Sequence, residues 1–176
     1  LQISEKEAWD LAFNALVNNN TSEDNAKEVA DALISAEFDG QAGHGLSRIP
    51  SYVEQLTAGK VKGTEAPSII SSKGSVIRID AKNGFAYPAI SLALKEITTT
   101  CKNFGIAAAS ITRSHHFGQA GRHVEILADN GLIGLMFGNT PKAIPPWGGT
   151  KALFGTNPIA FSAPRENDAP MVIDMS

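Results

Sequence analysis

With 176 residues, 43% of them hydrophobic and 19% charged, the sequence lies far from the weakly hydrophobic, highly charged compositions of disordered chains. The net charge is -3 and the lysines and arginines are dispersed, which argues against nucleic acid or an anionic membrane surface as a partner. No apolar run approaches the ~20 residues of a membrane span, and the single cysteine, Cys101, cannot form an intrachain disulfide, so we expect a reducing, cytoplasmic setting.

The first part of the chain has helical periodicity. Ser4 and Glu7 have the spacing of a capping box at the start of a first helix, and Ser22 precedes a second amphipathic segment. Together these segments predict a helical hairpin. The glycine-rich stretch "FDGQAGHGLSRIP" predicts a loop, and a short helix is expected over residues 51–56. We therefore predict a helical segment over residues 1–66.

From residue 67 onward, strand and helix patterns alternate. The stretches "SIIS" and "SVIRID" predict a β-hairpin, and helices are predicted over residues 88–102 and 119–129. Further strands are expected at "GIAAASIT", "LIGLMFG", "PIAFSAP" and "PMVIDM". Apolar strands of this kind indicate sheets that are covered on their faces, so residues 67–176 are predicted to form an α/β domain. Because an apolar strand stops at the last residue, we expect the chain to be the N-terminal part of a longer protein.

Three histidines lie close together in "SHHFGQAGRH" and raise the possibility of a metal site. His115 and His116 are adjacent, so their side chains diverge on either a strand or a helix. His123 follows seven residues after His116, but neither a second cysteine nor an HExxH pattern completes a ligand set. We therefore expect no metal. A small zinc-binding protein is the corresponding alternative hypothesis.

The motif "GQAG" at residues 118–121 follows a predicted strand and opens a predicted helix. Free amides at a helix N-terminus can bind an anion, as in a phosphate-binding turn. The G-x-G-x-x-G spacing of a Rossmann fingerprint is missing, so the spacing alone favours two glycines in an ordinary loop over a phosphate-binding turn.

His44 and Arg48 lie four residues apart near the start of a predicted helix. A guanidinium can hold a carboxylate with two hydrogen bonds, and an imidazole can exchange a proton near neutral pH. Reduction of a 2-oxo acid requires such a pair, although a loop histidine beside a solvated arginine gives the same pattern.

A second candidate region, residues 139–161, is rich in glycine and proline and carries apolar side chains. This composition favours a loop that lines a pocket over a plain surface connection.

Five stretches of the chain resemble the malate/L-lactate dehydrogenase family, an NAD(P)-dependent group unrelated to the Rossmann-type lactate dehydrogenases. They are "DGQAGHGLSRIPSYV", "SHHFGQAG", "NGLIGLMFGNTP", "PPWGGTKALFGTNPIAFSAPR" and "MVIDMS". The resemblance implies an α/β fold in which an N-terminal helical segment joins a mixed-sheet, non-Rossmann cofactor-binding domain, within a homodimer. Family members are longer than this chain. They include dehydrogenases of malate, lactate, sulfolactate and ureidoglycolate, and reductases of cyclic imino acids.

The resemblance also implies roles for individual residues. His44 corresponds to the family's proton donor, Arg48 to its ligand for the substrate carboxylate, and Thr156 to a second substrate contact. His116 falls where the family places a histidine beside the nicotinamide, and it is the alternative acid/base. Gly43 departs from the family, because many members have a serine there that is thought to assist the neighbouring histidine.

Several positions match the cofactor-contacting stretches of the family, with either NAD or NADP as the cofactor. They are His116, Phe117, Gly118, Gln119, Ala120, Thr140, Asp174, Met175 and Ser176. The implied activity is hydride transfer to or from C2 of a small 2-hydroxy or 2-oxo acid, a small anionic substrate. Two alternatives are an NADPH-dependent reductase of a cyclic 2-imino acid, such as piperideine- or pyrroline-2-carboxylate, and a non-catalytic dimerisation fragment.

Overall fold

The chain forms two compact units that divide after Gly118, here called unit 1 and unit 2. A computed structural model describes residues 3–175. The division falls at a different place from the predicted domain boundary between residues 66 and 67. The physical reason is that the long helix after the first hairpin packs on the second N-terminal helix as well as on the first sheet, and so joins that sheet to the N-terminal helices. The predicted domain boundary concerns the organisation of the whole protein and stays a prediction.

Unit 1 begins with the predicted helical hairpin. Helix α1 spans Glu5–Val17, helix α2 spans Glu23–Phe38, and the two pack against each other. The capping box is present, since the Ser4 side chain accepts from the Glu7 amide while the Glu7 carboxylate accepts from the Ser4 amide. Ser22 caps α2 in a similar way by accepting from the amide of Asn25.

The glycine-rich stretch after α2 folds into two 3-10 turns, Ala42–His44 and Leu46–Arg48. Helix α3 follows directly over Ile49–Thr57, two residues earlier than predicted. The Glu37 carboxylate accepts a hydrogen bond of 2.7 Å from the Leu46 amide, which ties the second turn to the end of α2. A Cβ at residue 45 would overlap the Glu37 carboxylate in this position, so Gly45 leaves room for that contact.

A three-stranded mixed sheet completes unit 1. Strands β1 (Ser68–Lys73) and β2 (Val76–Asp80) form the predicted hairpin, and β3 (Ala108–Thr112) pairs with β2 in parallel. The parallel connection runs through helix α4, Ala86–Phe104, which lies on the sheet. Ile77 and Ile79 of β2 are fully buried beneath α4, so this face of the sheet belongs to the core.

Unit 2 consists of one helix on an antiparallel sheet. Helix α5 spans Ala120–Asp129, and the sheet order is β4 (Gly134–Phe137), β5 (Ile159–Arg165), β6 (Asp168–Met175). One face of the sheet packs on α5, where the buried hydroxyl of Ser162 donates to the carbonyl of Val124. The predicted covering of both faces is not met within residues 3–175, because the other face leaves apolar side chains exposed. These exposed side chains include Leu135, Phe137, Ile159, Met171, Ile173 and Met175.

None of the helices within residues 3–175 combines the length and the apolar character needed to cross a membrane.

Candidate active site

Two of the predicted site residues, His44 and His116, face each other in unit 1. His44 ends the first 3-10 turn after α2, whereas His116 lies in the segment that follows β3. Their rings stack with centroids 5.4 Å apart and planes inclined by 11°. The fold therefore brings together two histidines from distant parts of the sequence, as expected if they serve one reaction.

His116 is held by a tyrosine that the sequence analysis did not single out. The Tyr52 hydroxyl lies 2.7 Å from Nδ1 of His116 and 3.0 Å from the hydroxyl of Tyr87. Tyr52 belongs to α3 and Tyr87 to α4, and only 1% and 2% of their surfaces are exposed. The one available sequence signal was the helical spacing of Arg48 and Tyr52, and it says nothing about His116. We call His44, Arg48, Tyr52, Tyr87 and His116 the histidine cluster.

Burial sets the ionisation of two members of this cluster, His116 and Tyr52. It lowers the pKa of His116 to about 4, and the positive charge of Arg48 acts in the same direction, followed by His44 and His115. His116 is therefore a neutral imidazole at pH 7. Burial also raises the pKa of Tyr52, with the neighbouring Tyr87 as the second cause, so that Tyr52 keeps its proton.

A hydrogen bond links the Arg48 side chain to the backbone next to His44. Its Nε donates a hydrogen bond of 2.5 Å to the carbonyl oxygen of Gly43. Among residues 3–175, no carboxylate forms an ion pair with the Arg48 guanidinium. A guanidinium without an acidic partner beside two histidines can bind the carboxylate of a small acid.

His115 packs behind His116 rather than beside it in a common ligand set. Its Nε2 lies 2.8 Å from Oε1 of Gln55, and its ring meets the Tyr52 ring edge-on at 5.1 Å. Burial lowers its pKa to about 4, with Lys60 as the smaller cause. Among the residues described, no three His, Cys, Asp or Glu side chains are grouped so that they could hold a metal ion.

The structure gives Gly118 a packing role. Its φ is +66°, and a Cβ would lie 2.6 Å from the hydroxyl oxygen of Tyr87. The preceding residue, Phe117, is half-buried and its ring stacks near that of His116, with centroids 6.3 Å apart. Gly118 therefore allows the backbone after His116 to approach the histidine cluster closely.

The N-terminus of α5, the anion site suggested by "GQAG", is partly occupied by the protein itself. Gln119 is the N-cap residue and Ala120 the first residue of the helix. The Asp174 carboxylate of β6 accepts a hydrogen bond of 2.7 Å from the Gly121 amide. A fixed carboxylate at this position disfavours a phosphate and suits a donor such as a hydroxyl or an amide. Met175 is exposed at the end of β6, and Ser176 lies outside the described residues.

Thr140 and Thr156, the other predicted ligand contacts, lie together in unit 2. Their hydroxyls are 3.2 Å apart. Thr140 also exchanges two hydrogen bonds with Asn157, through its amide at 3.0 Å and its hydroxyl at 3.2 Å. We call these three residues the threonine cluster. It forms the base of the loop 141–155, whose expected pocket-lining side chains are exposed within the described residues; they are Ile144, Trp147, Leu153 and Phe154.

Comparison with known families identifies the family to which the chain is related. The family described as malate/L-lactate dehydrogenase matches residues 3–176. The chain belongs to the malate/L-lactate dehydrogenase family. The resemblance drawn from the sequence motifs is thereby confirmed.

The similar family members have related but different activities. The chain is 47% identical to the (2R)-3-sulfolactate dehydrogenase (NADP(+)) of Chromohalobacter salexigens over 99% of its own length and 52% of that protein. It is 37% identical to the Δ1-pyrroline-2-carboxylate/Δ1-piperideine-2-carboxylate reductase of Pseudomonas syringae pv. tomato, covering 99% and 51% of the two chains. The chain thus spans about half the length of the curated relatives it matches.

A solved structure confirms the fold. The crystal structure of the Δ1-piperideine-2-carboxylate reductase from Pseudomonas syringae pv. tomato superposes with a TM-score of 0.93 and 36% identity, covering 99% of this chain and 53% of that one. The α/β fold with a mixed sheet is therefore the family fold. The roles of individual residues in this chain stay predictions.

Proposed function

We propose that the protein carries out NAD(P)-dependent hydride transfer to or from C2 of a small 2-hydroxy or 2-oxo acid. The observation that carries this proposal is the stacking of His44 on His116 within a cluster that includes Arg48. One cation for a carboxylate and an imidazole for a proton are the side chains that such a reaction needs. Family membership and a relative named as a sulfolactate dehydrogenase support the same class of substrate.

Arg48 and the two histidines of the cluster then have chemical tasks. Arg48 binds the substrate carboxylate through two N–H donors and so fixes the orientation of C2. His44 or His116 gives a proton to the carbonyl oxygen in reduction and takes it back from the hydroxyl in oxidation. The reduced nicotinamide, when bound, supplies the hydride that adds to C2. We propose Thr156 as a second substrate contact.

The residues proposed to contact the cofactor fit its nicotinamide end better than its phosphates. The Asp174 carboxylate is an acceptor, and ribose hydroxyls and the carboxamide of nicotinamide are donors. In unit 2 the proposed contacts are Gln119, Ala120, Thr140, Asp174, Met175 and Ser176. In unit 1 they are His116, Phe117 and Gly118. Either NAD or NADP is compatible with this set, and the similar sulfolactate dehydrogenase is named for NADP(+).

The test is a substrate panel with the full protein. Oxaloacetate, pyruvate, 3-sulfopyruvate and pyrroline-2-carboxylate are each assayed with NADH and with NADPH. We expect turnover of at least one 2-oxo acid, and a KM for it that rises about 100-fold or more in Arg48→Gln because the carboxylate loses a bidentate partner. Arg78→Gln, an exposed arginine on β2, is the matched control and should leave KM unchanged. If no 2-oxo acid is turned over, the proposal is wrong.

The second candidate is an NADPH-dependent reductase of a cyclic 2-imino acid. Its support is the 37% identity to a pyrroline-2-carboxylate reductase, and its substrate also has a carboxylate next to the reacting C2 carbon. Turnover of pyrroline-2-carboxylate with a kcat/KM above that of every 2-oxo acid would select it.

We further propose that the protein is a cytoplasmic homodimer whose substrates are small anions and not nucleic acids or membranes. The exposed apolar face of the unit 2 sheet supports burial against further polypeptide. Sedimentation equilibrium of the full protein tests the dimer. A dimer that shows no turnover on the substrate panel would instead support the non-catalytic dimerisation role.

A further inference from the structure

Both tyrosines of the chain belong to one hydrogen-bonded row that ends on His116. The order is Tyr87, Tyr52, His116, and the three residues come from α4, α3 and the segment after β3. Since Tyr52 and Tyr87 are almost completely buried, water does not compete for their hydroxyls. The hydroxyl hydrogens of the two tyrosines therefore have few possible positions.

The chemistry of the three groups favours one direction of donation. The Tyr52 hydroxyl has a single hydrogen and two neighbours, the Tyr87 oxygen at 3.0 Å and the His116 Nδ1 at 2.7 Å. An imidazole nitrogen is a much stronger acceptor than a phenol oxygen, because it is basic near neutral pH and the phenol oxygen is not. Tyr52 therefore donates to Nδ1 of His116, and Tyr87 donates to the Tyr52 oxygen.

The backbone next to His116 is shaped around the far end of this row. Gly118 adopts a φ of +66°, and its missing Cβ leaves the space that the Tyr87 hydroxyl occupies. Tyr87 is thereby placed within reach of Tyr52, and Tyr52 within reach of His116.

We propose that Tyr52, oriented by Tyr87, is a positioning residue that holds His116 with its proton on Nε2, so that His116 donates a hydrogen bond and His44 carries the proton. This inference rests on the proposed function for the reaction itself. When His116 carries its proton on Nε2, its only lone pair is on Nδ1, and that lone pair accepts the hydrogen bond from Tyr52. No free lone pair then remains for a general base. The choice between the two candidate acid/base residues then falls on His44.

The tautomer is measured by nitrogen-15 NMR of the chain with labelled histidine at pH 7. We expect Nδ1 of His116 to have the shift of an unprotonated ring nitrogen and Nε2 that of a protonated one. In Tyr52→Phe the single tautomer should become a mixture, and the pKa of His116 should rise because the neutral ring loses its donor. Tyr87→Phe retains the Tyr52–His116 contact and should change the spectrum less. His115 serves as the control within the same spectrum, with unchanged ring shifts.

A proton on Nδ1 of His116 in the unsubstituted chain would overturn the inference without any variant having to fold. This readout is independent of activity, so it separates failure of the inference from failure of the proposed function. In the full protein, Tyr52→Phe should lower kcat about 5- to 10-fold for the 2-oxo acid with KM nearly constant, as expected for one lost hydrogen bond. An unchanged kcat would contradict the positioning role.

Discussion

The histidine cluster of unit 1 and the threonine cluster of unit 2 differ in how the fold holds them. The first is built from α3, α4 and two loops, and its tyrosines belong to the core. The second consists of neighbouring residues at the base of one exposed loop. Groups proposed to move a proton are thus fixed by packing, whereas groups proposed to contact ligands are fixed by local hydrogen bonds. Substitutions in the two clusters should therefore separate stability from binding.

The largest expected effect is on the stability of unit 1. Tyr52→Ala removes a buried ring and its two hydrogen-bonding contacts, so the free energy of unfolding should fall by about 3–5 kcal/mol. Tyr52→Phe keeps the ring and should cost only about 1–2 kcal/mol. Urea unfolding followed by circular dichroism measures both. A loss below 1 kcal/mol for Tyr52→Ala would show that the cluster is not part of the core.

Gly118→Ala should be the next most damaging change. The added Cβ would lie 2.6 Å from the Tyr87 oxygen at a positive φ, so we expect a loss of about 1–3 kcal/mol. Gly131→Ala is the matched control, because its φ is +77° but nothing lies within 4 Å of its Cβ. Thermal unfolding of the two variants isolates the cost of the contact with Tyr87. Equal losses would contradict that contact.

The pH dependence of stability also distinguishes unit 1. The pKa values of His115 and His116 fall to about 4 in the folded state, below the value of 6.5 expected when unfolded. The unfolded chain therefore binds protons first as pH falls, and stability should decline between pH 6.5 and 4 by about 1–2 kcal/mol per histidine once solvent screening is considered. Urea unfolding at a series of pH values measures the slope, and His115→Gln should reduce it. An identical slope in that variant would contradict the assigned burial effect.

The smallest stability effects are expected in the threonine cluster. Thr156→Ala removes an exposed hydroxyl with one weak contact, so the free energy of unfolding should change by no more than about 0.5 kcal/mol. The KM for substrate should nevertheless rise in the full protein. Loss of stability without a change in KM would reverse the proposed difference between the clusters.

Local signals in the sequence predicted much of the fold. The capping box at Ser4, the hairpin before residue 81 and the helix after Gln119 depend on neighbouring residues and were all confirmed. The division after Gly118 was not predicted, because it depends on how α4 packs between a sheet and α2. Periodicity identifies apolar faces but does not say which faces meet.

The candidate site was likewise only partly predictable from the sequence. His44 and Arg48 lie one helical turn apart, so their spacing pointed to them directly. Tyr52 was missed because its partners His116 and Tyr87 come from other elements, and only the fold makes them neighbours. Asp174 is a similar case. A sequence motif cannot show that this distant carboxylate accepts a hydrogen bond from the Gly121 amide at the N-terminus of α5.

Arg48 and the two stacked histidines are proposed to bind one small acid. The most direct measurement follows the ring resonances of His44 and His116 while the full protein is titrated with a 2-oxo acid. Both rings should shift with one common dissociation constant, and both shifts should disappear in Arg48→Gln but persist in Arg78→Gln. Shifts that are absent, or that are unaffected by the loss of Arg48, would show that the three residues do not form one binding site for the acid.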